Sequence, residues 1–347
     1  MPLAPDIVET LARARADLRM GVPVVLSGGT SGAVIAAAET LSPARLAALR
    51  DLGAPVLAIT ARRAETLKAR AYDGDLARLH LPRDADVGWI ASVADPADDL
   101  IRPLSGPHIA ERDGAADLHR AAIALAKAAR LLPAALVIET ADTGHIAAEH
   151  GLTRLDLTAA RAHLGALSPL HQVISARVPL SVSEAGRVHV FRPEDGADEH
   201  YAVEIGQPPR DAPVLARLHS ACFTGDLLGS LKCDCGPQLK AALATMGGEG
   251  AGVLLYLNQE GRGIGLANKM RAYSLQDQGF DTVQANHRLG FEDDERDFRI
   301  GAEILRRMGF SAVRLLTNNP AKVAMMEHSG IAVTERVPLK VGLNPLN

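Results

Sequence analysis

The three cysteines of this 347-residue chain, Cys222, Cys233 and Cys235, lie within 14 residues of one another. This grouping indicates metal or redox chemistry, and Cys233 and Cys235 are too close in sequence to form a disulfide with each other. Three thiolates suit tetrahedral Zn²⁺, and three protein ligands leave a fourth position for water, as in catalytic zinc sites. Two alternatives stay open. In the first, the cysteines bind no metal and are three small buried hydrophobic residues. In the second, His219 is a fourth ligand and completes a closed structural zinc site.

Two further segments join a predicted strand to a predicted helix. Residues 260–265 are rich in glycine and carry Glu260 and Arg262, a pattern typical of phosphate binding that matches neither the dinucleotide fingerprint nor a Walker loop. Residues 317–322 end in Lys322, at a place where open α/β sheets bind ligands. The acidic string at 291–298 is, by itself, typical of a solvated helix start.

The segments that must position these residues alternate between short apolar strands and helices, which predicts an α/β (α+β) fold. We expect two domains, 1–170 and 171–347, each a mixed sheet packed with helices. The predicted strands are Val22–Leu26, Val56–Thr60, Leu136–Glu139, Val214–Leu218, Val253–Leu257 and Ala312–Leu316. The predicted helices are Ala33–Glu39, Ala44–Asp51, His119–Leu131, a helix from Pro237 to about Met246 stopped by Gly247-Gly248, one ending near Gln278, and Arg296–Met308. Asn318 or Asn319 is expected to cap a last helix with Pro320 in its first turn.

Composition excludes several classes of protein. The net charge of −4 and the 3% aromatic content disfavour nucleic-acid binding, so an anionic ligand must be met by a local group of cations. No apolar run is long enough to span a membrane, and the N-terminus lacks a signal-peptide pattern. We therefore expect a cytoplasmic protein with no membrane or nucleic-acid partner.

Several separated motifs resemble one family, GTP cyclohydrolase II, from about Val173 onward. They are Ala216-Arg217-Leu218-His219-Ser220, Gly225-Asp226, Lys232-Cys233-Asp234-Cys235-Gly236, Gln259-Glu260-Gly261-Arg262, Ala272-Tyr273 with Leu275-Gln276-Asp277, Asp294-Glu295-Arg296-Asp297-Phe298, and Leu315-Leu316-Thr317-Asn318-Asn319-Pro320. The resemblance implies zinc-dependent hydrolysis of GTP to formate, pyrophosphate and a diaminopyrimidine ribosylamino 5′-phosphate, the first step of riboflavin biosynthesis. It also implies one Zn²⁺ per subunit on the three cysteines, Mg²⁺ with the substrate phosphates, and a homodimer.

The resemblance also implies roles for individual residues. Asp294 corresponds to the family's proton acceptor, Arg296 to its proposed nucleophile at the α-phosphorus, and Tyr273 to the tyrosine that completes ring opening. Since arginine stays protonated, we favour an electrostatic role for Arg296 on the phosphoryl oxygens. The substrate contacts implied for this chain are Arg217, His219, Ser220, Gln238, Glu260, Gly261, Arg262, Thr282, Thr317 and Lys322.

Two positions depart from the family pattern. Ala221 replaces a glutamate before the first cysteine, and Asn258 stands where an arginine is common. Both lie in implied substrate-contacting stretches, which leaves alternatives on the same scaffold: a GTP-binding sensor, or a partially active cyclohydrolase that releases pyrophosphate without losing all formate. A closed zinc knuckle for partner contact is a third.

The first half faintly resembles dihydroxybutanone phosphate synthase, through Arg19-Met20-Gly21, Ala37-Ala38-Glu39 and Leu132-Pro133-Ala134 followed by Val137-Ile138-Glu139. Where that enzyme carries an acidic metal-binding loop, residues 27–32 here read Ser-Gly-Gly-Thr-Ser-Gly. With no carboxylate in this loop to hold Mg²⁺, we expect the domain to be catalytically inactive and to serve assembly or stability.

Overall fold

The computed structural model describes residues 3–29, 31–101, 106–342 and 344. The strands, numbered in chain order, are β1 Val24–Gly28, β2 Ser31–Ala37, β3 Val56–Thr60, β4 Leu76–His80, β5 Ala134–Thr140, β6 Arg154–Asp156, β7 Leu170–Arg177, β8 Gly186–Pro193, β9 His200–Ile205, β10 Val214–Ser220, β11 Gly252–Leu257, β12 Ala312–Leu316 and β13 Ala332–Val337. The α-helices are α1 Ile7–Arg19, α2 Pro43–Leu52, α3 Ala61–Thr66, α4 Val87–Ala94, α5 Asp117–Ala128, α6 Thr143–His150, α7 Leu157–Ala160, α8 Cys235–Glu249, α9 Leu266–Asp277, α10 Thr282–Arg288, α11 Arg299–Arg307 and α12 Pro320–His328. Short 3₁₀ turns cover Pro96–Asp98 and Glu260–Gly263, and a π-helical turn covers Phe223–Leu227.

The chain divides into two compact units, and each unit is formed by two separate stretches of the sequence. Unit 1 comprises Met1–Ala166 and Ile264–Glu295, and unit 2 comprises Leu167–Gly263 and Arg296–Asn347. The predicted boundary near residue 170 lies close to the start of unit 2. The predicted domain 171–347 is continuous, whereas the structure assigns residues 264–295, the returning segment, to unit 1.

Unit 1 is built on a six-stranded mixed sheet in the order β4-β3-β5-β2-β1-β6. Its pairs are antiparallel except for the parallel pair β1–β6. Helices α1 and α5 pack on one face around Leu18, Ala122 and Leu125. The other face carries α2 and α4 together with the returning helices α9 and α10, so residues such as Leu275 and Leu289 belong to the core of unit 1.

The predicted helix over Ala33–Glu39 is wrong, because this stretch forms the central strand β2. Val34 pairs with Val25 of β1 and with Ile138 of β5, and β2 is buried from Gly32 to Ala37. A strand buried on both faces shows no alternation of polar and apolar residues, so its sequence resembles a short buried helix. Hydrogen bonding to strands on both sides, which the local sequence does not encode, decides the outcome.

Unit 2 contains a seven-stranded mixed sheet in the order β13-β12-β10-β11-β9-β8-β7. Strands β10, β11, β12 and β13 pair in parallel, whereas β7, β8 and β9 form an antiparallel meander that joins β11. Helix α8 does not stop at Gly247-Gly248 as predicted. It continues to Glu249 and ends at Gly250, whose φ of 76° suits a left-handed cap.

Two mixed sheets packed with helices confirm the predicted α/β (α+β) class. The strands Val56–Thr60 and Ala312–Leu316 have the predicted bounds, and Asn319 caps α12 by accepting a hydrogen bond from the Ala321 N–H at 2.9 Å. Within the described residues, no helix is both long and apolar enough to cross a membrane.

Candidate functional site

Three neighbouring parallel strands of unit 2 end at one edge of the sheet. Strand β10 ends at Ser220, β11 at Leu257 and β12 at Leu316. The segments predicted to bind ligand lie at these ends: 217–222 covers the last residues of β10 and the two that follow, 259–262 comes after β11, and 317–322 comes directly after β12. The fold thus gathers residues that are a hundred positions apart in the sequence at the edge where α/β sheets bind ligands.

The three cysteines meet beside this edge. Cys222 caps the π-helical turn, its Sγ accepting from the Gly225 N–H at 3.2 Å, and Cys235 opens α8. The three Sγ atoms lie within 4.8 Å of one another, with Cys222 and Cys233 at 3.6 Å. Cys222 is buried, whereas Cys233 and Cys235 are half-buried, which argues against three ordinary core residues.

The thiol cluster fits a soft divalent cation. Hydrogen bonds with Cys222 and Cys233, together with burial, raise the pKa of Cys235, so three neighbouring thiolates need a positive charge between them. A Cβ on Gly225 would lie 2.6 Å from the Cys233 Sγ, so the glycine keeps room open beside the sulfurs. A three-thiolate set of this kind matches zinc. The metal-competent group among the described residues does not include His219, which speaks against the closed four-ligand alternative.

Asp226 connects His219 with the cysteine turn. Its carboxylate accepts from the His219 Nε2 at 3.0 Å, from the Tyr256 hydroxyl at 2.9 Å and from the Cys222 N–H at 3.1 Å. The Tyr256 ring also stacks on the His219 ring at a centroid distance of 5.6 Å. The buried His219 Nδ1 has no hydrogen-bond partner within the described part of the chain. Since Nε2 donates to Asp226 in the neutral ring, Nδ1 is left as an acceptor.

Three cations line the same edge. Arg217 is 7% exposed and donates to the Leu316 carbonyl at 3.0 Å and to the Gln238 Oε1 at 2.6 Å. Arg296 donates to the Ser220 Oγ at 3.4 Å, and its guanidinium lies 4.8 Å from the centre of the Phe298 ring. The Lys322 ammonium approaches the same ring at 4.7 Å. Burial lowers the pKa of Arg217, partly offset by Asp234, yet a guanidinium stays charged at neutral pH. The edge therefore supplies the local positive charge that a net-negative protein needs to bind an anion.

The loop after β11 is fixed against the cysteine turn. The Glu260 carboxylate accepts from the Phe223 N–H at 2.6 Å and from the Gly261 N–H at 3.1 Å. Gly261 and Arg262 both adopt left-handed backbone conformations, with φ of 64° and 60°. Arg262 carries a side chain in this sparsely populated region, a strain that is common at ligand sites.

The remaining predicted positions of unit 2 have structural partners at the same edge. The Thr317 Oγ1 accepts from the Asn319 N–H at 3.1 Å, which shapes the start of α12. Of the two departures from the family pattern, the Ala221 N–H donates to the Leu257 carbonyl at 2.7 Å, and the Asn258 side chain donates to the Glu199 carbonyl. Both lie where β10 and β11 end, beside the cysteine turn and the Glu260 loop.

Three predicted site residues belong to unit 1. Tyr273 lies on α9, with the Lys269 ammonium 5.6 Å from its ring centre. Thr282 opens α10, and its hydroxyl accepts from the Gln276 side chain at 2.9 Å. Asp294 follows α10, near the end of the returning segment.

Sequence reasoning missed the roles of Asp226, Tyr256 and Phe298. Asp226 and Phe298 belong to the Gly225-Asp226 and Asp294–Phe298 motifs, whose resemblance implies no role for them, and Tyr256 lies within the predicted apolar strand Val253–Leu257. The available signal was strand register, because Tyr256 pairs with His219 between β11 and β10.

Comparison with known proteins gives consistent similarities. The family model described as GTP cyclohydrolase II matches residues 171–338. The GTP cyclohydrolase-2 of Azospirillum brasilense is 45% identical over 97% of this chain and 90% of its own length. That of Azotobacter vinelandii is 59% identical over 46% of this chain and 77% of its own length.

A crystal structure described as a two-domain 3,4-dihydroxy-2-butanone 4-phosphate synthase from A. baumannii covers 89% of this chain and 94% of its own. Its 18% identity and TM-score of 0.35 are too low to support an argument. The first relative, in contrast, shares nearly half its residues along almost the whole of this chain. On that similarity, the chain belongs to the GTP cyclohydrolase II family.

Proposed function

We propose that this protein hydrolyses GTP to formate, pyrophosphate and 2,5-diamino-6-(5-phosphoribosylamino)pyrimidin-4(3H)-one, the first step of riboflavin biosynthesis. One observation carries the proposal. The three-thiol cluster lies at the same sheet edge as Arg217, Arg296 and Lys322, so thiols that could hold a metal and cations that could hold an anion are neighbours, which supports one shared ligand site. A purine nucleoside triphosphate needs both groups, since one hydrolysis occurs at the imidazole ring and the other at the α-phosphate.

Cys222, Cys233 and Cys235 would hold one Zn²⁺ per subunit. Bound there, zinc would supply Lewis-acid activation of water for attack on the imidazole carbon of guanine. Mg²⁺ would accompany the substrate phosphates. The chain's own contribution beside the thiolates would be His219, whose Nε2 donates to Asp226 and whose buried Nδ1 has no hydrogen-bond partner among the described residues.

The phosphate end of the substrate would be held by cations. Arg296 donates to Ser220 and lies over the ring of Phe298. We therefore assign it an electrostatic role, in which it binds the phosphoryl oxygens, and not the role of a nucleophile. An arginine nucleophile would have to lose a proton from a group that proteins keep charged. Trapping a phosphoramidate on Arg296 would reject the clamp.

Guanine binding is assigned to the loop after β11. The N1–H and exocyclic amine of guanine form a paired donor edge, for which the Glu260 carboxylate is a suitable acceptor. Ser220, Gln238, Gly261, Arg262, Thr282 and Thr317 complete the proposed substrate contacts. Asp294 is proposed as proton acceptor and Tyr273 as the residue that completes ring opening.

We propose that the synthase-like part of unit 1 is catalytically inactive. Gly28 and Ser31 line a cavity of about 360 Å³ together with Asp117, Glu139 and Arg161. Arg161 lies 3.6 Å from the Asp117 carboxylate, so a guanidinium competes there with any cation. Among the described residues, the three cysteines form the one group able to hold a metal, and Thr30 of the 27–32 loop lies outside that description.

The test is an assay of the purified full-length protein with GTP, Zn²⁺ and Mg²⁺. Formate, pyrophosphate and the pyrimidine are expected in equal amounts, and chelation of zinc should abolish formate release. Given ribulose 5-phosphate, the same preparation should form no dihydroxybutanone phosphate. GTP binding without turnover would instead establish a sensor, and pyrophosphate without matching formate a partial enzyme.

The resemblance further suggests a homodimer that works in the cytoplasm without a membrane or nucleic-acid partner. The net charge of −4 supports the last point. Light scattering on the purified protein would test the dimer directly.

A further inference from the structure

Unit 1 contains a cavity that the proposed reaction does not use. Its volume is about 640 Å³, and its lining comes from β3, β4, β5, α5 and residues 110–115. The size lies in the range of small-molecule sites. Val56, Val137 and Ile138 give it apolar walls, while α5 and β5 contribute the polar residues His119 and Glu139 to its lining.

His119 lines this cavity and lacks the hydrogen bonds that a buried polar side chain requires. It is 1% exposed, and neither ring nitrogen has a hydrogen-bond partner in the described structure. A Glu139 carboxylate oxygen is 3.9 Å from Nδ1, beyond hydrogen-bond distance. Burial, reinforced by Arg78, lowers the pKa of His119 to about 4, so the ring is neutral at pH 7. A neutral imidazole offers one donor and one acceptor, and leaving both unmet in a buried position is costly.

The charge of the lining argues against an anionic ligand. Arg78 is already held by Asp73 at 2.8 Å and by Glu111 at 2.9 Å, so its charge is neutralised within the protein. The Arg112 guanidinium lies over the Tyr72 ring, 5.1 Å from its centre. The lining thus carries two guanidiniums and three carboxylates, the latter on Glu111, Asp113 and Glu139. A phosphate ester would therefore meet a net negative surface.

From this arrangement we propose that the cavity binds an uncharged nitrogen heterocycle of nucleoside size that carries an exocyclic amine next to a ring nitrogen. The amine would donate to the Glu139 carboxylate, and the ring nitrogen would accept from the His119 N–H. The heterocycle would pack against Val56, Val137 and Ile138. This inference is independent of the proposed GTP chemistry, because each residue it uses lies in unit 1 outside the returning segment.

Cytidine and uridine are matched probes for this site. Both have the same sugar and nearly the same size, but cytidine presents an amine beside a bare N3, whereas uridine presents an N–H beside two carbonyls. Calorimetric titration of the full-length protein at pH 7.5 should show saturable cytidine binding at one site per chain. Uridine should bind at least about tenfold more weakly, because its N3–H would face the imidazole N–H. Cytidine 5′-monophosphate should also bind more weakly than cytidine.

Two variants and a control locate the binding. His119→Leu should abolish cytidine binding without lowering the melting temperature, since it replaces an unsatisfied buried polar ring with an apolar side chain. Glu139→Gln, at a more exposed position, should weaken cytidine binding at least about tenfold through loss of the charged acceptor. His145→Leu, on the exposed surface of α6, should leave binding unchanged.

The proposal is overturned by any of three results: no saturable cytidine binding, equal affinity for cytidine and uridine, or unchanged cytidine affinity in both cavity variants. Because neither probe is a guanine nucleotide and the readout is binding, loss of GTP turnover would not affect this outcome.

Discussion

At the scale of single residues, Asp226 is the organising group of the unit 2 site. One carboxylate accepts from a ring nitrogen, a phenol and a backbone N–H, and so ties His219, Tyr256 and the Cys222 turn into one arrangement. A carboxylate has enough lone pairs for three donors, whereas an amide has a single oxygen acceptor. A residue of the same size with a single acceptor oxygen is therefore not equivalent to Asp226 at this position.

Asp226→Asn tests this role. The amide oxygen cannot satisfy all three donors, and leaving one or two of them unmet should lower kcat/KM for formate release by roughly 10- to 100-fold. The loss should fall mainly on kcat, because the hydrogen-bond partners of Asp226 are His219, Tyr256 and the Cys222 N–H, and not the cations proposed to hold the phosphates. Formate release under steady-state conditions, with zinc content measured in parallel, checks the prediction.

Asp211→Asn is the matched control, since Asp211 is an exposed aspartate of the same unit. Its kinetics of formate release and its zinc content should match those of the unchanged protein. Wild-type kinetics in Asp226→Asn would remove Asp226 from the site, and a variant that simply lost its zinc would show that the carboxylate acts on the cysteine turn alone.

At the scale of elements, the sequence predicted the strands and their chemistry better than the connections between them. Val56–Thr60 and Ala312–Leu316 are short apolar runs bounded by turn residues, so local pattern suffices. Ala33–Glu39 was predicted as a helix because burial on both faces removes the alternating signal, and only its partners β1 and β5 identify it as a strand. Likewise, the cysteine spacing predicted the thiol cluster, but the Asp226–Tyr256 contact depends on strand register.

The close approach of the π-helical turn to α8 is the element-scale feature on which the thiol cluster depends. A Cβ on Gly225 would lie 2.6 Å from the Cys233 Sγ and 3.0 Å from the Cys222 Sγ. Gly225→Ala should therefore weaken zinc binding by roughly 10- to 100-fold, as other changes next to metal ligands do. Competition with a zinc-chelating dye measures the effect.

Gly248→Ala is the control for Gly225→Ala. Gly248 lies inside α8 with open space around its Cα, so the added methyl should leave zinc affinity unchanged and slightly favour the helix. Equal zinc affinity in the two variants would contradict a role for Gly225 in shaping the cluster.

At the scale of the whole molecule, residues 264–295 belong to unit 1 although they lie between two segments of unit 2 in the sequence. Residues 264–295, which carry Tyr273, Thr282 and Asp294, are part of the core of unit 1. The Thr60 hydroxyl donates to the Gly290 carbonyl at 2.8 Å, and Lys127 pairs with Glu295 at 2.6 Å. Unit 1 therefore fixes the segment that bears three of the proposed site residues, which sequence patterns could not reveal because the contacts span more than 160 positions.

Arg271 tests this scaffold role in the full-length protein. From α9 it donates to Asp95 at 2.8 Å and to Glu39 at 3.1 Å, and it is 23% exposed. Arg271→Ala leaves both carboxylates without this partner and should lower the free energy of unfolding by roughly 1–3 kcal/mol. If unit 1 positions Tyr273 and Asp294 through α9, kcat for formate release should fall about tenfold while zinc content stays at the level of the unchanged protein. Arg307→Ala, which removes an exposed pair with Glu303 on α11, should change neither quantity appreciably. A destabilised Arg271→Ala protein with undiminished kcat would show that the contacts of α9 with unit 1 serve stability alone.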